Sequence, residues 1–169
     1  MSPGAPGSVT LFTRSRPNPT ADALARVIDM AVEAGTKVLI PAEEVEKHEL
    51  REREGTVHGC DAATDTDLSL VLGGDGTILS SLRLFAGRGV PTFAVNYGAI
   101  GFLATVEGEQ MEEGVRLALN GDFDVRSLPT LNAGTPGGEE LAVNDISFHR
   151  MPKGRVAELG YSVEGHELG

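Results

Sequence analysis

An aspartate set among glycines, Gly73-Gly74-Asp75-Gly76-Thr77, is where chemistry is easiest to read in this chain. It follows an apolar run, Leu68-Ser69-Leu70-Val71-Leu72, and leads into a stretch with helical spacing. Glycines allow a sharp turn and bring main-chain N–H groups close to an anion. The first turn of the following helix adds unpaired donors and the positive end of its dipole. Such a turn handles phosphate. A carboxylate repels phosphate, so Asp75 belongs there only if it takes the proton of an acceptor hydroxyl, orients that hydroxyl, or helps to hold a metal ion. The plainer alternative is a strand-to-helix turn in which Asp75 or Thr77 caps the helix.

Two downstream segments carry further candidates, Asn96-Tyr97-Gly98-Ala99-Ile100-Gly101-Phe102-Leu103 and Val143-Asn144-Asp145. Phe102 could pack on a purine, although a phenylalanine after a glycine is commonly core. Asn144 and Asp145 fall side by side in a strand-like stretch, which predicts side chains on opposite faces, with one of them turned to a cleft. A polar pair at a domain junction is the plainer alternative. Arg150, Lys153 and Arg155 form a positive cluster in an acidic chain, suited either to a ligand or to solvent.

Together the three segments, in this order, resemble the signatures of the NAD kinase family: its GGDGT turn, its N-x-G-x-L-G-F-L segment with Ile100 in place of Leu, and its Asn followed by an acidic residue. Diacylglycerol and sphingosine kinases, and more distantly 6-phosphofructokinases, share the first signature but not the later pair. The resemblance implies transfer of a phosphoryl group from ATP or polyphosphate, with Mg2+ or another divalent metal, to the adenosine 2′-hydroxyl of NAD. Asp75 would then be the catalytic base or orienting group. Gly73, Gly74, Gly76, Thr77, Phe102, Asn144, Asp145 and Arg155 would bind nucleotide, and no residue is assigned as a resident metal ligand. An aspartate is a weak base, so its effect on rate is expected to be roughly 10²-fold or less. Many relatives carry a basic or imidazole side chain where this chain has Ser80; Arg83, one helical turn later, is the nearest replacement. A lipid or sugar kinase of the same superfamily, or a nucleotide-binding module without transfer, remains the alternative.

The elements that must position these residues follow from periodicity. Strand-like runs at Val9–Phe12, Lys37–Ile40, Asp67–Leu72 and Val90–Val95 alternate with helical patterns. One pattern carries Leu24, Val27, Ile28, Ala31 and Val32 and stops at Gly35, one follows the glycine turn with Ile78, Leu79, Leu82 and Phe85, and one runs from Glu109 to Leu119. Alternation of this kind predicts a doubly wound, mostly parallel α/β sheet with ligands at the carboxyl ends of its strands. Residues 1–7 read as a disordered leader and residues 8–121 as the α/β domain. Glu43–Glu54 reads as a superficial, weakly held helix, and Gly55–Thr66 as a mobile loop. From residue 122 to 169 the pattern changes to strand-like runs at Phe123–Ala133, Glu140–His149 and Val156–Val163 with Gly/Pro turns, the start of a β-rich domain left incomplete. The chain is therefore expected to be a fragment, or a truncated form needing a partner, with weak activity alone.

Composition narrows the partners. A net charge of −11 over 169 residues argues against a general nucleic-acid binder, which needs a basic surface. One cysteine, Cys60, excludes an internal disulfide, and the four histidines do not fall at zinc-site spacing. His149 is nearest the suspected site but reads more naturally as structural. No apolar run approaches membrane-spanning length and no signal-peptide core is present. The expected setting is the cytoplasm, without membrane contact, and the full-length form is expected to be a homodimer or homotetramer.

Overall fold

A strand that is apolar along its whole length needs cover on both faces, and the core is built to supply it. The computed structural model describes residues 4–16, 18, 20–99, 101–149 and 159–168. Among these, six strands form one sheet: β1 (Ser8–Thr13), β2 (Lys37–Pro41), β3 (Thr56–Cys60), β4 (Leu68–Gly73), β5 (Thr92–Asn96) and β6 (Val106–Glu107). Their order is β3-β2-β1-β4-β5-β6, and every pairing is parallel. The helices are α1 (Ala21–Glu33), α2 (Ala42–His48), α3 (Asp75–Leu84) and α4 (Met111–Leu119), the last entered through a 3-10 turn at Gly108–Gln110.

Alternate residues of each strand serve opposite layers. Val9, Leu11, Val38, Ile40, Leu68, Leu70 and Leu72 pack with Leu24, Val27 and Ile28 of α1 and with Met111, Val115 and Ala118 of α4. On the other face Val71 and Ala94 pack with Ile78 and Leu82 of α3, and Phe12 meets Phe85 edge-on at 6.1 Å. All six positions of β4 are buried, as its nearly continuous apolar pattern requires, and its one polar side chain, Ser69, shares a hydrogen bond with Ser81 at 2.7 Å. The chain steps outward from β1 to β2 in one direction and from β4 to β5 in the other. The crevice at the carboxyl ends of β1 and β4 is therefore the topological switch point, where open α/β sheets bind ligands.

Several expectations need correction. The leader is anchored from Pro6 onward: Thr36 Oγ1 donates to Pro6 O at 3.1 Å and Lys37 N–H to Gly7 O at 2.9 Å. The charged segment after β2 is helical only to His48, because Glu49 adopts a left-handed conformation (φ 50°). That helix is not superficial, since its Glu44 is buried. The supposed loop at 55–66 contains β3, an edge strand held by main-chain pairing to β2; an edge needs little apolar burial, so its sequence shows little. The two-residue β6 carries no periodicity at all.

Beyond α4 the expected strands shrink. β7 (Leu131–Thr135) and β8 (Gly138–Ala142) form an antiparallel hairpin around the anticipated turn, where Thr135 Oγ1 donates to Gly138 O at 2.9 Å. β9 (Ser162–Val163) and β10 (His166–Glu167) form a second, shorter one. Residues 123–130 and 143–149 are not strand, because the first ladder ends at Leu131–Ala142 and a strand without a partner leaves its main-chain groups to water. Residues 150–158, including the start of the expected Val156–Val163 strand, lie outside the described residues.

Candidate active site

The glycine turn is shaped by what its neighbours leave no room for. A Cβ on Gly73 would lie 2.7 Å from Thr77 Oγ1 and 2.8 Å from Thr77 Cβ, and one on Gly74 would lie 3.4 Å from Gly98 Cα. None of Gly73, Gly74 and Gly76 has a positive φ, so the turn uses its first two glycines for close approach rather than for a left-handed bend. Gly76 differs from both, because a Cβ there would meet nothing within 4 Å. Glycine in a helix costs about 0.5–1 kcal/mol relative to alanine. No neighbour among the described residues accounts for this one, and open space beside a helix start suits a ligand.

Gly74 is the N-cap of α3, in extended conformation and without a side-chain cap bond among the described residues. Its carbonyl accepts from Thr77 N–H at 2.9 Å and Ile78 N–H at 3.1 Å. Neither Asp75 nor Thr77 occupies the capping position, and the capping alternative for them falls away. Asp75 instead accepts a hydrogen bond at Oδ1 from Leu103 N–H, 3.1 Å. One such bond uses only part of a carboxylate's acceptor capacity. It fixes the side chain between the turn and the segment after β5.

That segment is held by Asn96, a buried amide at the end of β5. Its Oδ1 accepts from Gly98 N–H at 2.8 Å and its Nδ2 donates to Glu107 Oε2 at 2.9 Å. A Cβ on Gly101 would sit 2.5 Å from Asn96 Nδ2, so the glycine is needed for the chain to pass the amide. Tyr97 N–H donates to Gly73 O at 2.9 Å, and partial burial pushes the Tyr97 phenol up from its ordinary value. Phe102, next to the residue that holds Asp75, is 87% exposed. It is not core, and its ring is available to a ligand.

Arg14 was not among the residues the sequence singled out. Its N–H donates to Leu72 O at 3.1 Å and its Nη1 to Tyr97 O at 2.6 Å, which carries a positive charge from the end of β1 over the glycine turn to the β5 loop. The signal for it is its position just after a strand at the switch point.

A buried polar cluster closes the other side of the crevice. Glu44 Oε1 accepts from Thr13 N–H at 3.1 Å and from Lys47 Nζ at 2.6 Å, while Oε2 accepts from Thr13 Oγ1 at 2.6 Å. Thr13 has one hydroxyl proton and gives it to Glu44, so its 2.8 Å contact with His48 Nε2 fixes that nitrogen as the donor. The imidazole is 3% exposed. Burial lowers its pKa from the ordinary value, with Glu44 opposing and Lys47 adding to the shift. Between this cluster and α3 runs a groove of about 700 Å³ that reaches Gly76 and Thr77.

Of the remaining described candidates, only Ser80 touches the turn. Asn144 and Asp145 are exposed and lie past the end of β8, so the opposite-face expectation for a strand does not apply. Asn144 Nδ2 donates to Asp145 Oδ1 at 3.1 Å, and Ser147 Oγ donates to Asp145 Oδ2 at 2.8 Å. Ser80 Oγ bonds back to Gly76 O at 3.0 Å, and with Arg83 it lines a cleft of about 440 Å³ toward Glu140 and Leu141. His149 is exposed. Ile100, Arg150, Lys153 and Arg155 lie outside the described residues. Among the described residues no group of three or more His, Cys, Asp or Glu side chains is placed to hold a metal ion.

Residues 12–123 match the family model for the ATP-NAD kinase N-terminal domain. NAD kinase of Bifidobacterium longum subsp. infantis is 37% identical over 110 residues, 62% of this chain and 32% of the relative. NAD kinase of Corynebacterium diphtheriae is 33% identical over 143 residues, 79% of this chain and 45% of the relative. This chain thus spans less than half the length of these curated relatives. The fold is that of yeast NADH kinase, solved with NADH (TM-score 0.60, 17% identity, covering 80% of this chain and 45% of that one), and of an NAD kinase from Archaeoglobus fulgidus solved with ATP (TM-score 0.53, 21% identity, 78% and 45%). With the family model covering well over half of its residues, the chain belongs to the NAD kinase family.

Proposed function

We propose that the protein transfers the terminal phosphoryl group of a phosphate donor to the adenosine 2′-hydroxyl of NAD. The 2′-oxygen forms a new bond to phosphorus, and the bond from phosphorus to the donor's bridging oxygen breaks with its electron pair leaving on the donor. The hydroxyl proton passes to the Asp75 carboxylate. The observation that carries the reading is the fixing of Asp75 by Leu103 N–H beside Gly76, a helix glycine that no neighbour requires. Reactions of this kind depend on alignment and charge stabilisation, and a carboxylate tied to two loops at a switch point is aligned. Gly73, Gly74 and Thr77 shape the turn, Arg14 contributes positive charge near it, and Phe102 offers a face to the adenine.

Asn144, Asp145 and Arg155 complete the dinucleotide site in this reading, supported by the family and by their order in the chain. Mg2+ would be carried by the phosphates, the usual mode for this ion, with Asp75 or Asp145 able to add one oxygen; it would neutralise charge on the transferred group. The exposed side chains of Leu131, Phe148 and Leu159 support assembly into a homo-oligomer through a further protein surface. Among the described residues no helix is long and apolar enough to cross a membrane, and with a lone cysteine this fits a cytoplasmic enzyme.

The test is Asp75→Asn. Turnover of NAD to NADP with ATP and Mg2+ is expected to fall about 10²-fold, while NAD still raises the melting temperature of the variant. A wild-type chain that binds NAD but forms no NADP is a binding module. A chain that phosphorylates diacylglycerol, sphingosine or fructose 6-phosphate in preference to NAD belongs to another branch of the superfamily. Either result refutes the proposal.

A further inference from the structure

We infer that Glu107, on the edge strand β6, is a positioning residue for transfer: through the Asn96 amide it sets the path of the segment between β5 and β6, and so the place at which Leu103 N–H holds Asp75. The inference rests on the transfer reading above and adds a residue to it. Pairing with β5 pins the returning end of this segment. Thr105 N–H donates to Ala94 O at 2.8 Å and Thr105 Oγ1 accepts from Ala94 N–H at 3.2 Å, and Asn96 stands opposite Glu107 in the parallel register. Pairing of this kind fixes where the segment leaves and rejoins the sheet. It leaves the path between unspecified, and it is from that path that Asp75 is held.

The Asn96 side chain is what the path touches. Gly98 N–H donates to its Oδ1 at 2.8 Å, and Gly101 passes so close that a Cβ there would lie 2.5 Å from Nδ2 and 2.8 Å from Cγ. An amide plane can turn over, exchanging its oxygen and nitrogen, unless its partners tell the two apart. Gly98 N–H can only donate and an ionised Glu107 can only accept, so the bond from Asn96 Nδ2 to Glu107 Oε2 at 2.9 Å locks the end that faces Gly101. Leu103 follows shortly after, with exposed Phe102 between. Without Glu107 the donor of a buried amide is left unpaired beside Gly101, which is costly. The plane must then turn over, or the chain must give way to water, and either displaces Gly101 and with it the Leu103 N–H. Glu107 itself is exposed, so its carboxylate serves the amide rather than the core.

Amide hydrogen exchange of the whole chain followed by NMR, with NADP formation measured in parallel, tests this on Glu107→Ala and Glu107→Gln. In Glu107→Ala the Gly98 and Leu103 amides are expected to exchange about tenfold faster, the worth of one hydrogen bond to a charged acceptor, while Leu70 in β4 exchanges as in wild type. Glu107→Gln, whose side-chain carbonyl still accepts, should protect Leu103 nearly as wild type does. Turnover of NAD should fall about tenfold in Glu107→Ala and be restored in Glu107→Gln. Added to Asp75→Asn, Glu107→Ala should cause no further loss, because changes that act through one group do not add. The inference is overturned if Leu103 exchange is unchanged in Glu107→Ala, if Leu70 exchange rises by the same factor, if Glu107→Gln behaves as the alanine variant does, or if Glu107→Ala slows Asp75→Asn as much as it slows wild type. Exchange is read without substrate: a chain that makes no NADP refutes the transfer reading, while Leu103 still decides whether Glu107 holds the segment.

Discussion

The central strands β1, β2, β4 and β5 are held by what their side chains touch; from Leu131 to Glu167 a strand is held by little besides its own ladder. β4 is buried at every position, whereas β7 and β8 leave nearly every residue exposed. The same contrast separates two halves of the candidate site. Asp75 is fixed through three elements, by the glycine packing on Thr77 and Gly98 and by the bond from Leu103. Asn144 and Asp145 are fixed by each other and by Ser147. In the proposed reading, the sheet therefore builds the transfer half of the site to tolerance, whereas Asn144 and Asp145, proposed to bind dinucleotide, are tied among the described residues only to near neighbours in sequence.

The contrast breaks first, if it is wrong, in the cores of the two regions. Leu70→Ala, at a fully buried position, is expected to cost about 3 kcal/mol, whereas Leu131→Ala, at 50% exposure, should stay within about 0.5 kcal/mol. Urea denaturation of both variants decides it, and equal losses would mean that the hairpin is as much core as β4. Within the glycine turn, Gly73→Ala should destabilise by about 1–3 kcal/mol through its collision with Thr77, and Gly76→Ala should stabilise by about 0.5 kcal/mol while slowing transfer. A Gly76→Ala enzyme of undiminished rate would remove the case that this residue makes room for a ligand.

The smallest expected effect concerns pH. The unfolded His48 titrates near 6.5, and in the fold burial lowers that value. Below the unfolded value the denatured chain takes up a proton that the native chain resists. The contribution is thus complete above about pH 6.5 and declines as pH falls toward the folded value. Comparing His48→Gln with wild type by thermal melting between about pH 7.5 and 5.5 should show a flatter profile for the variant. Parallel profiles would place the imidazole in solvent.

Much of this was readable from residues alone, for physical reasons. The doubly wound sheet follows from apolar runs at Leu68–Leu72 and Val90–Val95 alternating with amphipathic helices, because burial on both faces leaves a direct trace in composition. β3 and β6 left no such trace, since their stability comes from main-chain pairing to β2 and β5. The sequence locates the glycine turn and reads its glycines as allowing both a sharp bend and close approach to an anion; the structure adds close packing of Gly73 and Gly74 on Thr77 and Gly98. Glu44 read as one charge in a charged run, because its burial depends on Thr13 and Lys47 arriving from both sides, and one of these is 31 residues away. Arg14 was hidden for the same reason: its carbonyl partner at Tyr97 is 83 residues distant.

The central position of β1 has a kinetic corollary. Its register with β4 joins segments some 59 residues apart, as Ser8 and Asp67 show, so the crevice beside Gly73 cannot take shape by local collapse. Loop closure of that span must come first. During refolding, a probe of nucleotide binding should therefore lag behind the far-ultraviolet circular-dichroism signal of helix formation, and a nascent chain would gain its glycine turn only after most of the sheet has zipped together.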